Sequence, residues 1–127
     1  MTMRIVYVID DDSAVLHSTG FLLQSLGFEF DAFEDPDEFL AVVDKLQPGC
    51  VITDLRMPRL TGSELRRALL DRSIDWPVVM MTSENGTRTT DLVKSGGFSG
   101  FLRKPFSADD LVTILDKCFA TLEAQTT

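Results

Sequence analysis

Ile5-Val6-Tyr7-Val8-Ile9-Asp10-Asp11-Asp12 is the stretch on which the fold turns. A short unbroken run of β-formers reads as a buried strand, and the acids fall where its carboxyl end meets the next loop. A second run, Cys50-Val51-Ile52-Thr53, also ends on an acid, Asp54. A parallel sheet places its active crevice at the carboxyl edge, so two central parallel strands would bring Asp10, Asp11 and Asp54 together. Crowded carboxylates repel, and without a cation at least one would take up a proton or the site would loosen. A hard divalent cation is the natural remedy.

Working outward from these strands, apolar residues recur at helical spacing at Val15, Thr19, Leu22 and Leu26, with Asp12 or Ser13 as N-cap and Gly27 as the stop. Phe28 to Phe33 alternates apolar and polar as a strand does. Asp35-Pro36 then opens a helix carrying Phe39, Leu40, Val43 and Leu46, which Gln47-Pro48-Gly49 breaks. A loop from Arg56 to Gly62 leads to a helix from about Ser63 to Arg72, bearing Leu65, Leu69 and Leu70. Pro77 to Thr82 is a fourth strand and Phe98 to Leu102 a fifth. Thr87 to Ser95 is a poor helix with three threonines. A last helix begins near Ser107 with Asp109-Asp110 in its first turn and buries Leu111, Ile114, Leu115, Cys118 and Leu122. The strands are expected over 4–9, 28–33, 50–54, 77–82 and 98–102. Five strands alternating with helices imply an α/β fold, a parallel sheet of order 2-1-3-4-5 covered on both faces.

The chain has 127 residues, 44% hydrophobic and 25% charged, a size that predicts one compact domain over 1–127. A net charge of −8 argues against direct nucleic-acid binding, which draws on clustered Lys and Arg. The N-terminal apolar stretch is too short for a signal peptide or a membrane span, so a cytoplasmic protein is expected. Cys50 and Cys118 lack a Cys-x-x-Cys spacing and read as two reduced, buried thiols. His17 has no second His with which to share a metal and reads as an exposed helix residue.

Thr82 ends the fourth strand and Lys104 follows the fifth, so one sheet edge would hold three carboxylates, a hydroxyl and an ammonium. Such a set suits Mg²⁺, which takes oxygen ligands and keeps several waters. An EF-hand calcium loop is absent. At this point the chain resembles the receiver domains of two-component response regulators. The resemblance rests on Val8-Ile9-Asp10-Asp11-Asp12, Asp54-Leu55-Arg56-Met57-Pro58 with Gly62 and Glu64, Thr82-Ser83, and Phe101-Leu102-Arg103-Lys104-Pro105-Phe106. The triple Asp and the Asp-Leu-Arg-Met-Pro loop look most like the FixJ-like branch, whose members often carry a DNA-binding domain.

The resemblance implies a flavodoxin-like (βα)5 three-layer sandwich in which Asp54 accepts a phosphoryl group from a sensor histidine kinase or phosphotransfer protein. Asp11 would ligate Mg²⁺, or Mn²⁺ as a substitute, directly; Asp10 would act largely through water; the Arg56 main-chain carbonyl would complete the protein ligands. Lys104 and Thr82 would hold the phosphoryl oxygens, and Ser83 would leave room for them. Thr82 and Phe101 would relay the change to the face of the fourth helix, fifth strand and fifth helix, with a homodimer forming on phosphorylation. Arg56 and Glu84 would flank the path of the hydrolytic water and tune the phosphoryl lifetime. The domain would be regulatory, with self-directed phosphotransfer and autodephosphorylation only. The Lys104-Pro105 peptide is expected to be cis.

Phe98 departs from the family's usual Ala after the glycine before strand five, so its ring must either enter an enlarged pocket or lie on the surface. Competing readings are a Mg²⁺-dependent aspartyl-phosphate phosphohydrolase and a phosphate-independent scaffold. The chain could also be the front half of a longer DNA-binding regulator.

Overall fold

The structure is a computed structural model that describes residues 4–54, 57, 60–82 and 98–125. Five parallel strands, β1 (Ile5–Ile9), β2 (Glu29–Phe33), β3 (Cys50–Asp54), β4 (Val78–Thr82) and β5 (Gly100–Arg103), form one sheet in the order β2-β1-β3-β4-β5. The expected order therefore holds, and β1 and β3 are neighbours with Ile9 beside Thr53. Strand alternation divides the core. Val6, Val8, Cys50, Ile52, Val79, Met81 and Leu102 pack on one face with α1 (Ser13–Ser25) and the C-terminal helix (Ala108–Gln125). Tyr7, Ile9, Val51, Val78 and Met80 pack on the other with α2 (Pro36–Val42) and α3 (Gly62–Asp71). These continuous apolar runs are what a sheet covered on both faces requires.

Helix ends follow local chemistry. Asp12 caps α1 by accepting from the Ala14 and Val15 N–H groups. Gly27 closes the helix in the left-handed conformation while Phe28 N–H donates to the Leu23 carbonyl. Thr61 and Glu64 form a reciprocal capping box on α3. Ser107 and Asp110 exchange the same pair of bonds at the C-terminal helix. The last turn of α3 ends at Ser73, which takes a left-handed φ of 61° where the sequence offers no glycine to announce it.

Several expectations need correction. In α1 the buried positions are Leu16, Thr19, Gly20 and Leu23, whereas Val15, Leu22 and Leu26 are half-buried at the margin. The second helix stops at Val42 and continues as a 3₁₀ turn over Val43–Lys45. Leu70 is 47% exposed. In the C-terminal helix Ile114 is only half-buried and Phe119 enters the core instead. β2 is an edge strand whose first four residues are all exposed, so its alternation does not mark a buried face. β5 starts at Gly100 rather than Phe98, because Phe98 turns into the α3-side core and is 8% exposed. That answers where the ring goes. Cys50 and Cys118 are both free and buried, as expected. The helix expected over 87–95 lies outside the described residues.

Candidate functional site

The alternation that sends Val8, Ile52 and Leu102 to the α1 side carries Asp10, Asp54 and Lys104 to that same side, two residues further along β1, β3 and β5. Carboxylate oxygens of Asp10, Asp11 and Asp54 all lie within 4.8 Å of one another. Lys104 Nζ donates to Asp10 Oδ2 at 3.3 Å and to Asp54 Oδ2 at 3.2 Å, bridging the two strands. The Lys104-Pro105 peptide is cis, and Lys104 N–H donates to the Thr82 carbonyl at 2.7 Å, which ties the lysine to the end of β4.

Asp10 is fully buried, and burial pushes its carboxyl above the ordinary carboxylate range. The Asp12 N–H bond and the Lys104 charge pull it back, while Asp54 pushes it up again. Burial draws the Lys104 ammonium toward neutrality, but Asp10 and Asp54 outweigh burial and hold its pKa above the usual lysine value. Lys104 therefore stays charged. Among the described residues one ammonium faces three carboxylates, whose all-oxygen donor set fits Mg²⁺.

The model of the response regulator receiver domain matches residues 6–116 of the chain. The chain belongs to the response regulator receiver family. The transcriptional regulatory protein FixJ of Bradyrhizobium diazoefficiens is 36% identical over 118 residues, 93% of this receiver and 58% of that protein. The response regulator protein TmoT of Ectopseudomonas mendocina is 31% identical, covering 85% of this receiver and 49% of its own length. The receiver thus spans about half the length of the curated relatives it matches. A crystal structure of FixJ-N superposes with a TM-score of 0.86 at 29% identity, covering 93% and 94% of the two chains. The chemotaxis protein CheY4 of Vibrio cholerae gives 0.82 at 28% identity, covering 92% and 99%.

Of the site residues expected from sequence, this receiver brings Asp10, Asp11, Asp54 and Lys104 together. Thr82 is buried at the end of β4, and alternation from Met80 places it on the α3 face. Phe101, paired in register with Met80, packs against that same face and is half-buried. Arg56, Ser83 and Glu84 lie outside the described residues. Sequence reasoning missed Met57, which is buried and whose sulfur receives the Thr53 hydroxyl at 3.9 Å. Its signal was an apolar side chain set between Arg56 and Pro58 in the sequence. Among the described residues no helix is long and apolar enough to cross a membrane.

Proposed function

We propose that this receiver is a phosphorylation switch in which Asp54 takes the phosphoryl group from a phosphohistidine of a sensor kinase or phosphotransfer protein. The observation that carries the reading is the convergence of Asp10, Asp11 and Asp54 within 4.8 Å with Lys104 bridging Asp10 and Asp54. In the transfer an Asp54 oxygen forms a bond to phosphorus while the phosphorus–nitrogen bond of the donor breaks; with the donor ring's other nitrogen protonated, the electron pair of that bond stays with a neutral imidazole and Asp54 becomes an acyl phosphate. Charge gathers on the three equatorial oxygens, so catalysis is positioning plus cations. Lys104 supplies one cation. Asp11, Asp10, Asp54 and the Arg56 carbonyl would hold Mg²⁺, which neutralises phosphoryl charge when bound.

Thr82 would offer its hydroxyl to a phosphoryl oxygen, and Phe101 would respond on the same sheet face. The relay would emerge at β5 and the C-terminal helix, where a homodimer could read it. Ser83 would leave room for the phosphoryl group, and Arg56 and Glu84 would modulate its lifetime. In a longer regulator the change would pass to an output domain. Intact-mass analysis with acetyl phosphate and Mg²⁺ tests the assignment. One added phosphate should appear and vanish in Asp54→Asn and in EDTA; undiminished labelling of the Asn variant overturns it.

A further inference from the structure

The chain holds two cysteines, far apart in sequence, and folding brings them together. Cys50 opens β3, Cys118 lies on the C-terminal helix that packs over that strand, and both are 0% exposed within one core. Cys50 donates its S–H to the Cys118 sulfur, so the two sulfurs lie in direct contact. The pair is separate from the acid site. Cys50 is the first residue of β3 and Asp54 the last, about 13 Å along the strand.

The two thiols are not equivalent. Cys118 receives the Cys50 S–H, and the Ser99 hydroxyl and the Lys117 charge also face it; together they outweigh burial and hold its thiol below the ordinary cysteine value. Cys50 is driven the other way, by the bond it donates to Cys118 and by burial. The thiolate is the nucleophilic form, so Cys118 is the sulfur that reacts first and Cys50 the one that resolves. Ser99 is half-buried and, with Ile114 and Lys117, lines a groove of about 620 Å³. The groove therefore comes within one side chain of the Cys118 sulfur. That route suits a small uncharged oxidant and excludes a bulky disulfide such as oxidised glutathione.

We propose that Cys50 and Cys118 are a peroxide-sensitive dithiol that closes to an intramolecular disulfide. The Cys118 thiolate attacks one oxygen of hydrogen peroxide and the O–O bond breaks, leaving Cys118 a sulfenic acid; the departing hydroxide takes up the proton Cys118 had released and becomes water. The Cys50 sulfur then attacks the Cys118 sulfur, the S–O bond breaks, and the Cys50 proton leaves with the hydroxyl as a second water. The sulfurs lose the electron pair that the peroxide gains. The bond ties the first residue of β3, the strand that ends on Asp54, to the C-terminal helix. Its formation does not depend on the phosphoacceptor reading above.

Hydrogen peroxide is the probe, added to the reduced, folded chain, which is then unfolded in urea with iodoacetamide and weighed intact. Neither cysteine should take the label, the mass should fall by about two hydrogen masses, and dithiothreitol should restore both alkylations. Peptide mapping should join Cys50 to Cys118 within one chain. With dimedone present, Cys50→Ser should carry an adduct on Cys118, and Cys118→Ser should carry none on Cys50. The oxidised chain should unfold at a higher urea concentration than the reduced one, because the bond closes a long loop. Thiols that still alkylate after peroxide has oxidised the chain's methionines, a bond formed only between chains, or trapping on Cys50 instead of Cys118 overturns the proposal. So does a lower urea midpoint on oxidation, which marks a bond the fold does not accommodate. The wild-type mass result decides the matter whether or not either serine variant folds.

Discussion

Replacing Asp10 by Asn should stabilise the magnesium-free protein while destroying its metal site. The ionised carboxylate gains attraction from Lys104 at 3.3 Å, worth about 5 kcal/mol at an effective dielectric near 20. Against this stands repulsion from Asp54 within 4.8 Å, about 3.5 kcal/mol on the same scale. The side chain is 0% exposed, and burying a charge costs several kcal/mol more. Asparagine keeps an oxygen for the Asp12 N–H, which donates to Asp10 Oδ1 at 2.9 Å. The balance favours the amide by about 1 to 3 kcal/mol, a rise of roughly 1 M in the urea midpoint for an m-value near 2 kcal/mol/M. Fluorescence of Trp76, the one tryptophan, stacked on Tyr7, reports the transition. Burial raises the Asp10 pKa, so the folded state holds the proton more tightly than the unfolded one. Wild-type stability should therefore fall as pH climbs from the ordinary value of 3.8 through the folded value, and the variant should lack that fall. Added Mg²⁺ should raise the wild-type midpoint and leave the variant's unchanged. A variant less stable than wild type in EDTA, or one that Mg²⁺ stabilises equally, refutes the reasoning.

Lys104→Met removes the cation between Asp10 and Asp54 and should cost about 2 kcal/mol in EDTA, less than a fully buried pair because the lysine is 25% exposed; the initial rate of labelling by acetyl phosphate should drop at least about tenfold. Tyr7 donates its hydroxyl to the Gln47 carbonyl at 2.6 Å, so Tyr7→Phe should lose about 1 kcal/mol in urea unfolding. Burial and Asp31 push the Tyr7 pKa from 10.0 to about 12, so wild-type stability should fall as pH rises through that window and the Phe variant should not share the fall. For Arg56 and Glu84, a double-mutant cycle on the dephosphorylation rate should show coupling, and strictly additive effects would exclude a shared gate.

The strand runs, the strand order and the convergence of Asp10, Asp11 and Asp54 were legible in the sequence, because each depends on local patterning plus the few topologies that parallel sheets allow. Which side of the sheet the acids take was not legible, because an apolar run buried on both faces does not mark a side; the register of Val8 against Ile52 decided it. Helix faces were less legible. α1 turns Leu16, Gly20 and Leu23 inward instead of Val15, Leu22 and Leu26, and Phe30 lies over Gly20, where a Cβ would fall 2.5 Å from its ring. The burial of Phe98, the burial of Met57 and the exposure of β2 likewise depend on what lies across space rather than along the chain. Each brings together residues of different elements, and periodicity within any one segment carries no record of how the others lie against it.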